Sequence, residues 1–271
     1  MNANVTGARA MHVASVGRAV FAATMIGLGI LGLIQGDFTP TWNGVPKGVP
    51  AREALAYLCA IVSLVTGIGL FWQRSAIVAA RVLLISLLVW LLVIRLSDFL
   101  GDDPAVLAWW ACGDTLVMAA GAGVLYARLA GDRGASRFSF AAGDSGLRIA
   151  RMFYGLGLIP FGVAHFMYLK ETVVLVPGWL PGHTAWAYFT GGAFIAAGVA
   201  VLIGVCARLA ATLSALQMGL FTLLVWVPMI IAGHPTAFQW DESVNSWALT
   251  AGAWLVAESY RGMPWLAVGK R

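Results

Sequence analysis

Long apolar runs alternate along the chain with short polar breaks, and the runs have the length of membrane helices. A helix needs about 20 mostly apolar residues to cross the hydrocarbon of a bilayer. Stretches that meet this condition are 16–35, 52–71, 76–97, 105–127, 149–169, 185–205, 208–232 and 244–260. Connectors 72–75 and 206–207 are so short that the spans they join must form tight antiparallel pairs. The pattern predicts an all-α membrane protein with about eight transmembrane helices.

Composition points the same way. The chain is 60% hydrophobic and only 11% charged, with a mean hydropathy of +0.83. A soluble domain carries about 25% charged residues, so this chain lacks the polar surface to cover itself in water, and its expected surroundings are the lipid bilayer. The net charge of +5 would suggest nucleic acid in a soluble chain. Here its distribution says more. Thirteen of the 17 Lys and Arg fall on one side of the spans, Lys47, Arg52 and Lys170 fall on the other, and Arg95 lies within a span. Such a split follows the positive-inside pattern. It predicts both termini cytoplasmic in a plasma (inner) membrane, with connectors 36–51, 98–104, 170–184 and 233–243 outside and no nucleic-acid partner. The N-terminus has basic residues before an apolar run, as a signal peptide does. That run, Ala19 to Ile34, leads into Gln-Gly-Asp-Phe rather than a small-residue cleavage site, so a retained helix is expected. Cys59, Cys112 and Cys206 lie in separate apolar segments without a C-x-x-C pair, which reads as three small buried hydrophobes and no thiolate metal site.

The polar, small-residue-rich stretch Ala130–Leu147 separates two halves that match each other: a first four-helix unit at 1–129, a cytoplasmic linker at 130–148 and a second unit at 149–271. At a separation of 131, Val45, Pro46 and Pro50 match Val176, Pro177 and Pro181. The register continues through Tyr57/Tyr188, Gly67/Gly198, Pro104/Pro235 and Gly121/Gly252, while the first helix matches at 133 (Arg18/Arg151). Each unit has an even number of spans, so both copies share one orientation, and the pattern predicts two parallel-repeat four-helix bundles about the membrane normal.

An Arg at the start of an apolar helix (Arg151) is followed by VPGWLPG at Val176–Gly182, WAYFTGG at Trp186–Gly192 and ARLAA at 207–211. This pattern resembles the DoxX/DoxD-like family of four-helix membrane proteins. The resemblance covers about 149–260 well and the first half more faintly, with Lys47-Gly48-Val49 where Gly-Trp-Leu stands. It implies a tandem duplication of the family's unit. It also implies a link to quinone-coupled or other membrane redox complexes with soluble enzymes: a membrane-anchor or non-catalytic subunit that binds a quinone or lipid between helices and docks a separate oxidoreductase. Two other readings stay open, a small-molecule or lipid transporter and a structural subunit without redox chemistry.

Ionisable groups inside hydrocarbon are costly and so mark candidate sites. Asp114 lies about nine residues into the fourth span, about 13 Å from its outer end, and its counterpart at 131 is Asn245. It reads either as an interhelical hydrogen bond or Arg95 partner, or as a carboxylate that handles protons or ligand. Arg95 can pair with Asp98 at i, i+3, reach Asp114, snorkel to the interface, or face the interior and hold an anionic headgroup or semiquinone oxygen. His165 is particular to the second copy, since Gly32 stands at its counterpart. It reads as a satisfied bundle histidine, a donor to a quinone carbonyl, or a haem ligand. Haem would need a second axial group, for which His234 is the nearest candidate, and the pattern disfavours it. His183 belongs to an outer loop. Trp179, Trp186, Tyr188, Trp240 and Trp247 form an aromatic belt near the outer boundary. Within it, Trp179 sits between two prolines as a candidate lid, and Tyr188 is a candidate lining residue. No phosphate-cradling loop, H-E-x-x-H, D-D-x-x-D or serine elbow is present. The expected site is therefore cofactor-binding, made of His165, Asp114, Arg95, Tyr188, Trp179 and Asn245, with a quinone as its candidate occupant and no metal.

Overall fold

A computed structural model describes residues 3–97, 108–131 and 139–268. Among these residues the chain is helical, with no strand. Eight long helices run in order: α1 Ala3–Gln35, α2 Arg52–Phe71, α3 Gln73–Trp90, α4 Ala108–Gly131, α5 Gly143–Met167, α6 His183–Ile203, α7 Ala207–Phe221 and α8 Ala237–Ser259. Both α3 and α7 widen at their C-terminal ends into a π-helical turn, Leu91–Arg95 and Thr222–Trp226, and α7 then continues as Val227–Ile231.

Seven of these helices, α1 to α7, are long and apolar enough to cross a membrane, which makes this a multi-pass membrane protein. The eighth expected span differs. α8 has the length, but its N-terminal turns carry Gln239, Asp241, Glu242, Ser243, Asn245 and Ser246, and Glu258 lies near its C-terminal end. Asp241, Ser243, Asn245, Ser246 and Glu258 are all buried. A helix enclosed by other helices need not be lipophilic, because its polar groups bond to protein and not to lipid. α5 begins at Gly143, earlier than the expected 149, because a polar first turn (Asp144, Ser145) precedes the apolar run.

α4 and α8 pack against each other at the centre. A Cβ added at Gly121 would stand 2.8 Å from Gly252 Cα, so their backbones touch, which only small residues allow. Around this pair, α1 packs on α2 and α8, while α5 packs on α6 and α4. The hairpins α2/α3 and α6/α7 close the two sides, with α3 on α4 and α7 on α8. The first helix of each half thus leans on the last helix of the other.

The same close approaches recur at matched positions. A Cβ at Gly29 would meet Leu64 N at 2.6 Å and Ala60 O at 2.8 Å. One at Gly162 would meet Ile195 N at 3.0 Å and Gly191 O at 2.6 Å. Gly67 approaches Ala22 O and Ile26, and Gly198 approaches Gly155 O and Ile159. Ala51 and Gly182, immediately before α2 and α6, both have left-handed backbone (φ 56° and 72°). The π-helical turns occupy equivalent positions as well.

Arginines cap the C-terminal end of α8. Arg128 donates to Glu258 O at 2.8 Å. Arg151 donates to Ser259 Oγ at 2.9 Å and to Ser259 O, and its guanidinium lies 4.1 Å from the Tyr260 ring centre. Cations suit the negative end of a helix dipole, so several of the charges behind the positive-inside pattern also bond the helix terminus.

Candidate functional site

Arg95 ends the π-helical turn of α3 and is 2% exposed. Its guanidinium donates to Thr115 Oγ1 (3.0 Å), Asn43 O (2.9 Å), Asn43 Oδ1 (2.6 Å), Pro40 O (3.1 Å) and Thr41 O (3.1 Å). It does not snorkel. The extra residue of the π turn aims it inward, and the first outer connector folds down to meet it. That connector has a one-turn 3₁₀ helix, Pro40–Trp42, which packs on α4 and α8. Trp42 is 2% exposed, donates to Ser63 Oγ at 2.7 Å and meets Trp90 edge-on. Asp98, the other expected partner of Arg95, lies outside the described residues.

Asp114 and Asn245 meet across the α4/α8 contact: Asn245 Nδ2 donates to Asp114 Oδ2 at 3.1 Å, and Thr41 Oγ1 donates to Asn245 Oδ1 at 3.0 Å. Counterpart positions of the two halves thus touch each other, and the first connector is tied to both. Asp114 Oδ1 is buried without a hydrogen-bond partner. Nearby, Gln35 Nε2 donates to Asp241 Oδ1 at 2.9 Å. Glu242 lies one turn before Asn245. Burial, together with the Asp114 and Asp241 carboxylates, pushes its carboxyl up to about 8.

His165 stands elsewhere, in the second half, among aromatic rings. Its ring centre is 5.5 Å from Phe194, 5.7 Å from Phe161 and 6.2 Å from Trp110, and Tyr168 lies 5.1 Å from Trp110. The histidine is buried, and Gly191 makes room for it, since a Cβ there would come within 2.7 Å of His165 Cβ. Nδ1 lies 2.9 Å from Phe161 O. A carbonyl oxygen only accepts, so Nδ1 carries the hydrogen, and Nε2 of the neutral ring is an acceptor. In this tautomer the ring offers an acceptor at Nε2 rather than the donor expected toward a quinone carbonyl.

Tyr188 stacks on Phe166 (5.7 Å, 25°), the residue next to His165, and both Tyr188 and Trp179 are exposed. His234, the second axial candidate for haem, is exposed in the connector before α8. No cluster of His, Cys, Asp and Glu able to hold a metal occurs among the described residues. The six expected site residues thus divide. Arg95, Asp114 and Asn245 form one bonded network, His165 forms a separate aromatic cluster, and Tyr188 and Trp179 lie at the outer surface of the second half.

Several residues escaped the sequence reading: Thr41, Asn43 and Thr115 around Arg95, Trp110 of α4 beside His165, and Trp226 at the end of the second π turn. Counterpart spacing was the signal for two of them. Trp226 is the counterpart of Arg95, and Asp241 is the counterpart of Trp110. Gln35, which bonds Asp241, corresponds to Tyr168, which packs on Trp110. The chain matches no family model, no curated protein and no solved structure.

Proposed function

We propose that this protein is a duplicated membrane module, α1–α4 and α5–α8, which binds a quinone-class or similar amphipathic lipid at the His165 cluster of its second half. In this reading the protein holds the lipid near the outer leaflet for a separate oxidoreductase docked to it, as the resemblance to DoxX-like proteins implies. Both termini lie in the cytoplasm, and the stretch 244–260, formed by α8 and its C-cap Tyr260, is the eighth crossing. The recurring glycine contacts, the paired π-helical turns and the Asn245–Asp114 bond support the duplication. The charge distribution supports the orientation.

The observation that carries the lipid site is His165 itself. A buried imidazole with Nδ1 committed to Phe161 O keeps Nε2 as an acceptor, in a wall of Trp110, Phe161 and Phe194 that matches the flat face of an aromatic headgroup. Arg95 has no such role in this reading, because its donors go to the chain's own connector.

An absorption spectrum and a lipid extract of the purified protein test it. Wild type should yield a co-purifying quinone or other amphiphile, and His165→Ala should lose it while staying folded, with the helical circular dichroism of wild type. No bound amphiphile in wild type, or equal amounts in both proteins, would overturn the proposal. For topology, Lys47→Cys and Lys170→Cys in a background without native thiols should react with an impermeant maleimide on intact cells, and Ser75→Cys should not.

A further inference from the structure

The segment that follows α8 runs back along the end of the second half. Gly262 has left-handed backbone (φ 85°) and Pro264 comes two residues later, so the chain leaves the helix there. Tyr260, 4% exposed, and Met263 pack into the core and fix where the segment starts. Two bonds then hold it across the short connector between α6 and α7. Arg208 Nη1 donates to Met263 O at 2.6 Å, and Cys206 N donates to Ala267 O at 2.7 Å. Residues 260–268 thus form a strap over residues 204–206.

The level of the strap follows from what it is tied to. α6 and the stretch Ala207–Ile231 are both long and apolar enough to cross a membrane, and only three residues join them. A connector that short between two crossing helices stands at the bilayer surface. The strap bonded to it stands there too. Its outward side chains are apolar: Trp265 is 46% exposed, Leu266 72% and Val268 84%. Exposed apolar residues beside a tryptophan suit the boundary between headgroups and acyl chains.

Arg208 supplies the charge, and its counterpart in the first half is Ile77. Its guanidinium carbon lies 3.9 Å from the Trp265 ring centre, and Nη1 is taken by Met263 O. Nε and Nη2 have no acceptor among the described residues. Glu258, buried at the same end of the bundle, is already held by Arg128 and Arg261. Nε–H and Nη2–H share one edge of the guanidinium, the pair that grips two oxygens of a phosphate.

We propose that this strap binds an anionic phospholipid at the membrane surface. Phosphate oxygens of the lipid accept from Arg208 Nε and Nη2, while Trp265, Leu266 and Val268 sit among its glycerol and upper acyl carbons. The strap lies beyond the C-terminal end of α6, whereas His165 meets Gly191 nearer the N-terminal end, so this site stands or falls separately from the His165 reading.

The test places the full-length protein in phosphatidylcholine vesicles. These are doped with an equal small fraction of acyl-brominated phosphatidylglycerol or acyl-brominated phosphatidylcholine, since bromine quenches a neighbouring indole. The difference between wild type and Trp265→Phe isolates the Trp265 signal. Brominated phosphatidylglycerol should quench it more, as for a local enrichment of about fivefold, the preference expected from one basic residue at an anionic surface. Arg208→Gln should bring the two lipids level, and added inorganic phosphate should leave the wild-type preference in place. Equal quenching by both lipids in wild type, no quenching of Trp265 by either, or a preference that survives Arg208→Gln would overturn the proposal. Loss of the preference in excess phosphate would overturn it as well, by showing a site for soluble anions. Should Arg208→Gln fail to fold, the wild-type comparison decides alone.

Discussion

The two halves of this protein share a scaffold and differ in what fills it. At matched positions the first half pairs Gly32 with Ala60 and the second pairs His165 with Gly191, so a small–small contact becomes a large–small one. Gln35 bonding Asp241 becomes Tyr168 packed on Trp110. Arg95, surrounded by carbonyls, becomes Trp226 with its N–H unpartnered. In the last two exchanges the first-half residue, Gln35 or Arg95, bonds polar groups of the chain, whereas its counterpart, Tyr168 or Trp226, is aromatic.

The sharpest way to break this comparison is to treat the two π-turn residues alike. Arg95→Met strips the guanidinium from Pro40, Thr41 and Asn43 and leaves buried carbonyls unpaired. The expected cost is about 3–5 kcal/mol, seen as a large fall in the thermal midpoint in detergent, against a smaller loss of about 1–2 kcal/mol for Trp226→Phe, which empties part of the buried indole volume but leaves no polar group unpaired. Equal effects would contradict the difference between the two π-turn residues.

Next in size are substitutions where the halves are the same. Gly29→Ala and Gly162→Ala each force a methyl into facing backbone at 2.6 Å and should each cost about 1–3 kcal/mol. The two losses should agree within about 0.5 kcal/mol, measured as unfolding midpoints. A large inequality would show that the shared contacts do not carry equal load.

The smallest effect concerns pH. The carboxyl of Glu242 is held at about 8 against an ordinary 4.5. The fold therefore favours its protonated form, and that contribution is fully present below pH 4.5 and is lost as pH rises through 8. The charged groups that act on it are Asp114 on α4 and Asp241 on its own helix, both acidic and both raising its pKa. Glu242→Gln should flatten the decline in thermal midpoint between pH 5 and pH 8. A slope unchanged by the substitution would remove Glu242 from the account.

Apolar run lengths were enough to place seven membrane-capable helices, because a bilayer demands length and lipophilicity that nothing else in a chain mimics. α8 shows the limit of that signal. Its polar turns are buried against protein, and whether a helix faces lipid is a tertiary property. Asp114 and Asn245 could be marked as matched polar positions, but that they bond each other depends on the α4/α8 contact. Arg95 could be marked as a costly charge. Its acceptors could not be anticipated, because main-chain carbonyls leave no trace in side-chain chemistry. Trp226 was missed because a tryptophan in an apolar helix is unremarkable until its counterpart is seen to be an arginine.

Counting bound ligand tests the difference between the halves most directly. Native mass spectrometry of the full-length protein, released from detergent after saturation with a short-chain ubiquinol, should show one specifically retained ligand per chain. His165→Ala should retain none, and Asn43→Ala, which loosens the first connector around Arg95, should still retain one. Two ligands per wild-type chain, or one that survives His165→Ala, would contradict a ligand site confined to the second half.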